Sequence, residues 1–503
     1  MEAVPRLPMI SFDLKTSPEP PQRRTAPSAG YIAEFYHEDP ESYNNEFHAL
    51  EGLRAVAVRP AKDVTGCSVL KRYYAQLHAL QGRFPMEKGQ PMAISFTWKD
   101  IYTSSSVSAN DIRFEIGAVL YNIGALHTQL GAADSRNSAD GMKLACTHFQ
   151  CAAWAFQHLR ENYCQVVSED LCSEIMTFMT SLSFAQAQEC ILEKSMADNR
   201  KATIVARIAV QVVDYYGLAL AVLLTGGDDG PVADTVGSKV YKEWKKYIQF
   251  KIAYCGCVSL LYQGQQAEEQ QKMGERVAFY QAAFNRLEEA IADALNFTND
   301  VVEGKRKAAK NENEFIYHEE VPEMSALTQA TGAPLVKGIA FSVTDKDVLG
   351  EDIFKRLVPI SAHEASSIYS EGKAQLLRDI GNRIETADMN LQTHLSALHL
   401  LGFLSWDSSK CHVDLEEELS ALTQQAPQGE EARHGERLIQ YATENLVTEI
   451  LIQPQTNTLV QCMRNLLSSF TRHRHIVHAG YALQGNGSWI LQVNNNNTSP
   501  NSC

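Results

Sequence analysis

The chain has 503 residues, 45% of them hydrophobic, and a formal net charge of −15, which suffices for one large core or two to three ordinary ones. The acidic balance argues against nucleic acid as the main ligand, because phosphate binding needs lysines and arginines gathered on one face. Eleven cysteines without framework spacing point to reduced thiols in the cytosol, with the sequons at Asn296, Asn486, Asn496 and Asn497 left unmodified. The opening MEAVPRLPMISFDLK has no apolar run of signal-peptide length, and the greasiest stretch, LALAVLLTGG near Leu218, falls short of a bilayer span.

In chain order, Ser17 to Gly30 carries too many prolines for regular structure and reads as a surface loop. Short strands are expected near AVAVRP and MAISFTW. CSVLKRYYAQLHALQGRFP, ANDIRFEIGAVLYNIGALHTQLGA, GMKLACTHFQCAAWAFQHLREN and SEIMTFMTSLSFAQAQECILEKSM each sustain helical spacing for four or more turns. So does EEQQKMGERVAFYQAAFNRLEEAIADAL, taken as one helix. Two of these segments alternate small and aromatic residues as closely packed antiparallel helix pairs do in tetratricopeptide arrays, but no repeat period follows. The fold class is therefore mostly α, a helical solenoid-like core with minor strands.

Asn199 to Tyr216, NRKATIVARIAVQVVDYY, carries more apolar surface than a helix with one neighbour needs. On a helical wheel Thr203, Arg207, Gln211 and Asp214 share a stripe about 80° wide, and Ile204, Ile208 and Tyr215 lie within about 40° of one another at its edge. Either other helices wall this segment in, or the edge of its apolar arc waits for a partner. The basic runs KEWKKYIQFK and GKRKAAK read first as solvated helix faces, with anionic lipid or an acidic protein as secondary candidates.

FIYHEEVPE, Phe315 to Glu323, reads as a junction into a strap from Pro322 to Pro359. Pro and Gly exclude a long helix there, while Leu335, Val336, Ile353, Phe354 and Leu357 need a dry surface, so the strap should lie on the helical body. Helix resumes at Ser361, and the terminal LQGNGSWILQVNNNNTSPNSC reads as polar and disordered.

Catalytic signatures are missing. No cysteine is followed, after five residues, by the arginine that a phosphate-cradling thiolate loop requires. Walker, dinucleotide, HExxH and serine-elbow patterns do not occur in a suitable context. Cys146, His148 and Cys151, and separately His473, His475 and His478, are of zinc-ligand type without zinc-ligand spacing. No cofactor, no metal and no enzyme activity is expected.

GCSVLKRYYAQLHALQGRFP, LYNIGALHTQLGA, GMKLACTHFQCAAWAFQHLREN, AQAQECILEKSMADNRKATIVARIAVQVVDYY, AEEQQKMGERV, FIYHEEVPE and GAPLVK, in this order, resemble the Bro domain of ESCRT-associated adaptors of the Alix type. MEAVPRLPMI and CTHFQCAA are most similar to the His-domain tyrosine phosphatase branch of that family. The resemblance implies a boomerang-shaped helical domain over residues 1–360, the start of a V-domain-like helical arm over 361–390, and a divergent, partly disordered tail over 391–503 lacking the branch's phosphatase domain. It implies a non-catalytic endosomal adaptor that binds the C-terminal amphipathic helix of an ESCRT-III subunit of the charged multivesicular body protein family, by helix-in-groove recognition, and supports cargo sorting into multivesicular bodies. By the same resemblance the groove falls on Ile191, Ile204 and Ile208, with Lys143 and Thr147 on the neighbouring helix. Thr147 implies selectivity for further endosomal sorting adaptors, and partners would bring the cytoplasmic chain to the endosomal membrane. The alternative is a general helical scaffold for unrelated amphipathic segments.

Overall fold

Asp63, Asp111 and Ser138 each accept a hydrogen bond from a backbone N–H of the turn that follows them, and so set where three helices begin. The computed structural model describes residues 6–18, 30–227, 230–289 and 296–397. In order these form α1 (Asn44–Ala57), α2 (Val64–Gln81), β1 (Phe96–Lys99), β2 (Ser106–Ala109), α3 (Ile112–Ala133), α4 (Ala139–Asn162), α5 (Ser173–Ala197) and α6 (Ala202–Leu223). They continue with the short α7 (Pro231–Val236), α8 (Ser238–Glu269), α9 (Met273–Glu289), α10 (Asn296–Glu312), the single-turn α11 (Lys346–Leu349) and α12 (Ile360–Ala397). The chain divides into two compact units, Met1–Ile368 and Tyr369–Cys503.

From α1 to α6 each helix packs on its successor in the chain; α6 then packs on α8, α8 on α9, and α9 on α10. Glycines set two of the closest approaches. A Cβ at Gly124 of α3 would stand 2.6 Å from the Phe156 ring of α4, and one at Gly264 of α8 would stand 2.3 Å from Tyr280 of α9, so neither position admits a side chain without moving the facing helix. One apolar core runs from Leu7 to Leu357 through these helices. Within it the Glu115 carboxylate of α3 accepts from Arg54 Nε of α1 at 2.8 Å, Tyr73 Oη of α2 at 2.8 Å and Trp98 Nε1 of β1 at 2.6 Å, joining four elements through one satisfied charge.

The two extended segments are held by side-chain amides acting as surrogate strand edges. Asn122 bonds both the N–H and the carbonyl of Lys15, and Gln186 does the same for Ile10. The strap between α10 and α12 is clamped the same way. Gln263 accepts from Ala330 N–H, Gln188 donates to Ala333 and accepts from Leu335 N–H, Gln150 accepts from Lys337 N–H, and Gln76 holds the backbone of residues 349, 351 and 353. A segment without its own secondary structure thereby satisfies its polar backbone while lying on helices.

Several expectations need correction. AVAVRP is the end of α1, not a strand, whereas FTWK of MAISFTW does form β1, with Phe96 opposite Ala109 and Lys99 opposite Ser106. The helix taken as continuous from Glu268 breaks between α8 and α9, where Gln271 adopts a left-handed φ of 59°. By length and apolar content α6 is sufficient to cross a membrane, which the shorter window around Leu218 did not suggest. Its buried residues, among them Ala202, Val205, Ala209, Val212, Tyr216, Ala219 and Leu223, instead repeat at the three-to-four spacing of a helix packed in a core. Within the strap Phe354 and Leu357 are buried and Val336 and Ile353 half-buried, but Leu335 points outward. Most of the proline-rich loop of residues 17–30, the histidines at 473–478 and the C-terminal tail lie outside the described residues.

Candidate partner-binding site

The strap crosses three neighbouring helices at three identifiable points. On α6 the Ala333 N–H donates to the Arg207 carbonyl and Arg207 Nε to the Thr331 carbonyl; on α5 the crossing is at Gln188, and on α4 at Gln150, whose carbonyl also accepts from Ile339 N–H. Short connections make α4 and α6 run one way and α5 the other. Three residues beyond each crossing, toward the same end of the three helices, stand Thr147 on α4, Ile191 on α5 and Ile204 on α6. Three residues is nearly one turn, so these side chains form a row parallel to the strap. Lys143 lies a further turn along α4 from Thr147, and the Thr147 hydroxyl donates to its carbonyl at 2.9 Å.

Within this row Ile204 is 44% exposed and Ile191 is half-buried, but Ile208 is only 3% exposed and belongs to the main core. The expectation that Ile204 and Ile208 together form an open floor is therefore corrected: Ile208 supports the surface from below. The physical reason is its place on the wheel: Ile208 lies about 40° further from the polar stripe of α6 than Ile204, toward the core formed with the neighbouring helices. Sequence spacing assigns Arg207, Gln211 and Asp214 to solvent, yet the strap lies along them, with a Cβ at Gly332 only 2.6 Å from Gln211 and 2.8 Å from Asp214. Ile204, the apolar residue nearest that stripe, stays exposed beside the strap.

Two exposed side chains were missed by sequence reasoning. Leu144 of α4 is 50% exposed and Leu335 of the strap 55% exposed, and both belong to the neighbourhood of the row. Beneath them a second, smaller core of Met9, Ala145, Cys146, Phe149, Ala187 and Cys190 carries Ile191 and Val336 on its outer side. Leu144 was detectable in principle, since it sits three residues before Thr147 and so neighbours it on the helix surface; Leu335 was not, because an extended strap offers no periodicity to say which way a side chain points. Lys143, Lys201, Arg207 and Lys337 are exposed around this apolar strip. The arrangement is a surface of apolar knobs ringed by cations, suited to an amphipathic segment carrying acidic groups.

Among the described residues, the cysteines and histidines near it are tuned away from nucleophilic or acid–base chemistry. Burial pushes the Cys146 and Cys67 thiols up to about 11 and raises those of Cys151, Cys190 and Cys255 as well, the opposite of what a thiolate nucleophile needs. His148 of the CTHFQC segment is buried against His127, their Nδ1 atoms 2.9 Å apart. Burial lowers both rings, His127 to about 3.

Comparison with known proteins agrees with this helical architecture. The BRO1-like domain family model matches residues 9–377, and the chain belongs to that family. It is 48% identical over 410 residues to the tyrosine-protein phosphatase non-receptor type 23 of Mus musculus, covering 80% of this chain and 24% of that protein. It is 32% identical over 409 residues to the vacuolar protein-sorting protein bro1 of Aspergillus fumigatus, covering 79% of this chain and 41% of that one. The chain thus spans about a quarter of the length of its phosphatase relative. Among solved structures, the ALIX BRO1 domain in complex with CHMP4C matches at a TM-score of 0.63 with 27% identity, over 70% of this chain and all of that one. A second family model, the microtubule-associated protein 1B N-terminal segment, matches residues 384–499. The chain is also 82% identical over 95 residues to the microtubule-associated protein futsch of Drosophila melanogaster, 19% of this chain and 2% of futsch.

Proposed function

We propose that this chain is a non-catalytic adaptor whose BRO1 domain binds the C-terminal amphipathic helix of an ESCRT-III subunit of the charged multivesicular body protein family. The partner helix lies along the row of Thr147, Ile191 and Ile204, with Leu144 and Leu335 as apolar contacts and Lys143 at one end. Ile208 holds the floor rigid without touching the partner. In the cell the chain is cytoplasmic, is recruited to endosomes through such partners, and serves cargo sorting into multivesicular bodies.

The observation that carries this reading is the set of exposed apolar side chains Leu144, Ile204 and Leu335 beside half-buried Ile191, in a domain whose solved relative is a complex with CHMP4C. Exposed side chains of this size cost a monomer little singly, but several together on a rigid surface favour a partner. The vacuolar protein-sorting name of the fungal relative supports the endosomal setting. The catalytic part of the phosphatase name is not carried over, because the shared region is a quarter of that protein and the buried thiols here are poor nucleophiles. The test is titration of the purified chain with an ESCRT-III C-terminal helix and with a scrambled, equally amphipathic peptide. Saturable binding of the first alone is expected; equal binding of both would favour a general scaffold for amphipathic segments.

A further inference from the structure

Helix α12 runs for 38 residues, Ile360–Ala397, yet beyond its first turn almost every described side chain on it is exposed. Helices of this length persist in proteins mainly by burying one face. α12 carries such a face: Leu376, Ile380, Ile384, Ala387 and Leu391 follow one another at the three-to-four spacing of a single stripe, with Ile384 half-buried and the others exposed. The BRO1-like match ends at residue 377 and the microtubule-associated protein 1B match begins at 384, so the boundary between two sequence families falls inside one continuous helix and one continuous stripe. Residues 398–503 follow directly from its end in the chain.

We propose that α12 is shared by two modules. Its last turns, from Ile384, are the first element of a second module, and residues 398–499 of the same chain cover Ile384, Ala387 and Leu391. The chain's own segment is preferred to a second copy because the second family match treats residues 384–499 as one unit. A pairing of two copies along the whole of α12 would also have to bury Lys373, which lies within the stripe between Tyr369 and Leu376.

The experiment is hydrogen–deuterium exchange with mass spectrometry on the full chain, run at two concentrations alongside light scattering. Residues 384–397 should be protected at both concentrations while the particle keeps the 55.9 kDa mass of one chain. Leu391→Asp should speed exchange about tenfold or more in residues 384–397 and 398–499 together, leaving α8 unchanged, and Leu391→Ala should fall between. Met389→Asp, about 160° away on the wheel, should leave exchange as in the wild type. Fast exchange of residues 384–397 in the unaltered chain overturns the proposal. Protection that appears only with a doubled mass assigns the stripe to a second copy and overturns it too, as does loss of protection in α12 with no change beyond residue 398.

Discussion

Ile204 and Ile208 stand one helical turn apart on α6, but Ile204 is 44% exposed and Ile208 is 3% exposed. The rim of the candidate site passes between them. A carboxylate at Ile204 stays hydrated in the free protein, so Ile204→Asp should leave the thermal midpoint within a few degrees of wild type while removing measurable affinity for the ESCRT-III helix. A carboxylate at Ile208 must either enter the core unpaired or force it open, at a cost of several kcal/mol. Thermal midpoint and affinity measured on both variants check the assignment. An Ile204→Asp chain that folds and still binds normally would place the partner elsewhere.

The strap gives a second expectation. Gln188 satisfies the Ala333 carbonyl at 2.9 Å and the Leu335 N–H at 3.2 Å. Gln188→Leu keeps the volume but leaves both groups without their partner under the strap, a loss of about 1–3 kcal/mol for each buried group that water cannot reach. In limited proteolysis under native conditions the wild-type strap should resist cutting, and the variant should be cleaved first between Ala330 and Ile339. Free cleavage of the wild type there would mean that the amide clamps do not hold in solution.

These two cases mark what was legible in the sequence. Helix positions followed from apolar spacing, and the placement of Phe354 and Leu357 followed from their need for burial. The row of Thr147, Ile191 and Ile204 came from family resemblance, and the helices bring those positions side by side. The fate of Ile208 was not legible, because apolar spacing alone does not say how much of a wide apolar arc the neighbouring helices cover. The clamps were equally hidden: a glutamine facing a strap some 145 residues away looks like any surface glutamine until the two are brought together. The second family match was also missed, since a tail without strong periodicity reads as polar and irregular.

Acid should weaken the fold through its buried imidazoles. Burial lowers His78 to about 4 and His127 to about 3, and lowers His148 and His158 from their ordinary 6.5. The unfolded chain therefore binds more protons below pH 6.5, and the stability these rings contribute is fully present above that pH and drains away as pH falls toward 4. Glu193, raised to about 7 by burial and by neighbouring Glu189, works in the opposite sense between 4.5 and 7, but one carboxyl is set against four imidazoles. Urea unfolding at pH 7.5, 6.0 and 5.0 should give a falling midpoint. His127→Phe should flatten the trend by removing one of the 2.9 Å pair; an unchanged slope in that variant would show the pair is not its source.

Phosphatase turnover should be absent with aryl phosphates and phosphotyrosine peptides. Among the described residues the thiols of Cys67, Cys146, Cys151, Cys190, Cys255 and Cys257 are all raised by burial, and no cysteine in the sequence has an arginine at the spacing of a phosphate loop. Turnover that survives purification and disappears on substituting a single cysteine would overturn the adaptor reading.

Deleting the residues after about 390 separates the candidate site from everything that follows it. Each side chain assigned to the partner comes from α4, α5, α6 or the strap near Leu335, and the strap is fixed by Gln76, Gln150, Gln188 and Gln263, all earlier in the chain. Its far end is fixed as well: Arg83 Nε donates to the Leu357 carbonyl at 2.7 Å, Tyr36 donates to the carbonyls of Arg83 and Val358, and the Ile360 N–H donates to the Gly82 carbonyl. Nothing in that chain of contacts passes through α12 beyond its first turn. The truncated chain should therefore bind the ESCRT-III helix within about twofold of the full chain, a difference below about 0.5 kcal/mol, even where removing the tail leaves Ile384 uncovered and lowers solubility. A loss of tenfold or more, measured on truncated protein that keeps its helical circular dichroism, would mean that the segment after Asn390 reaches the row and contributes directly to binding.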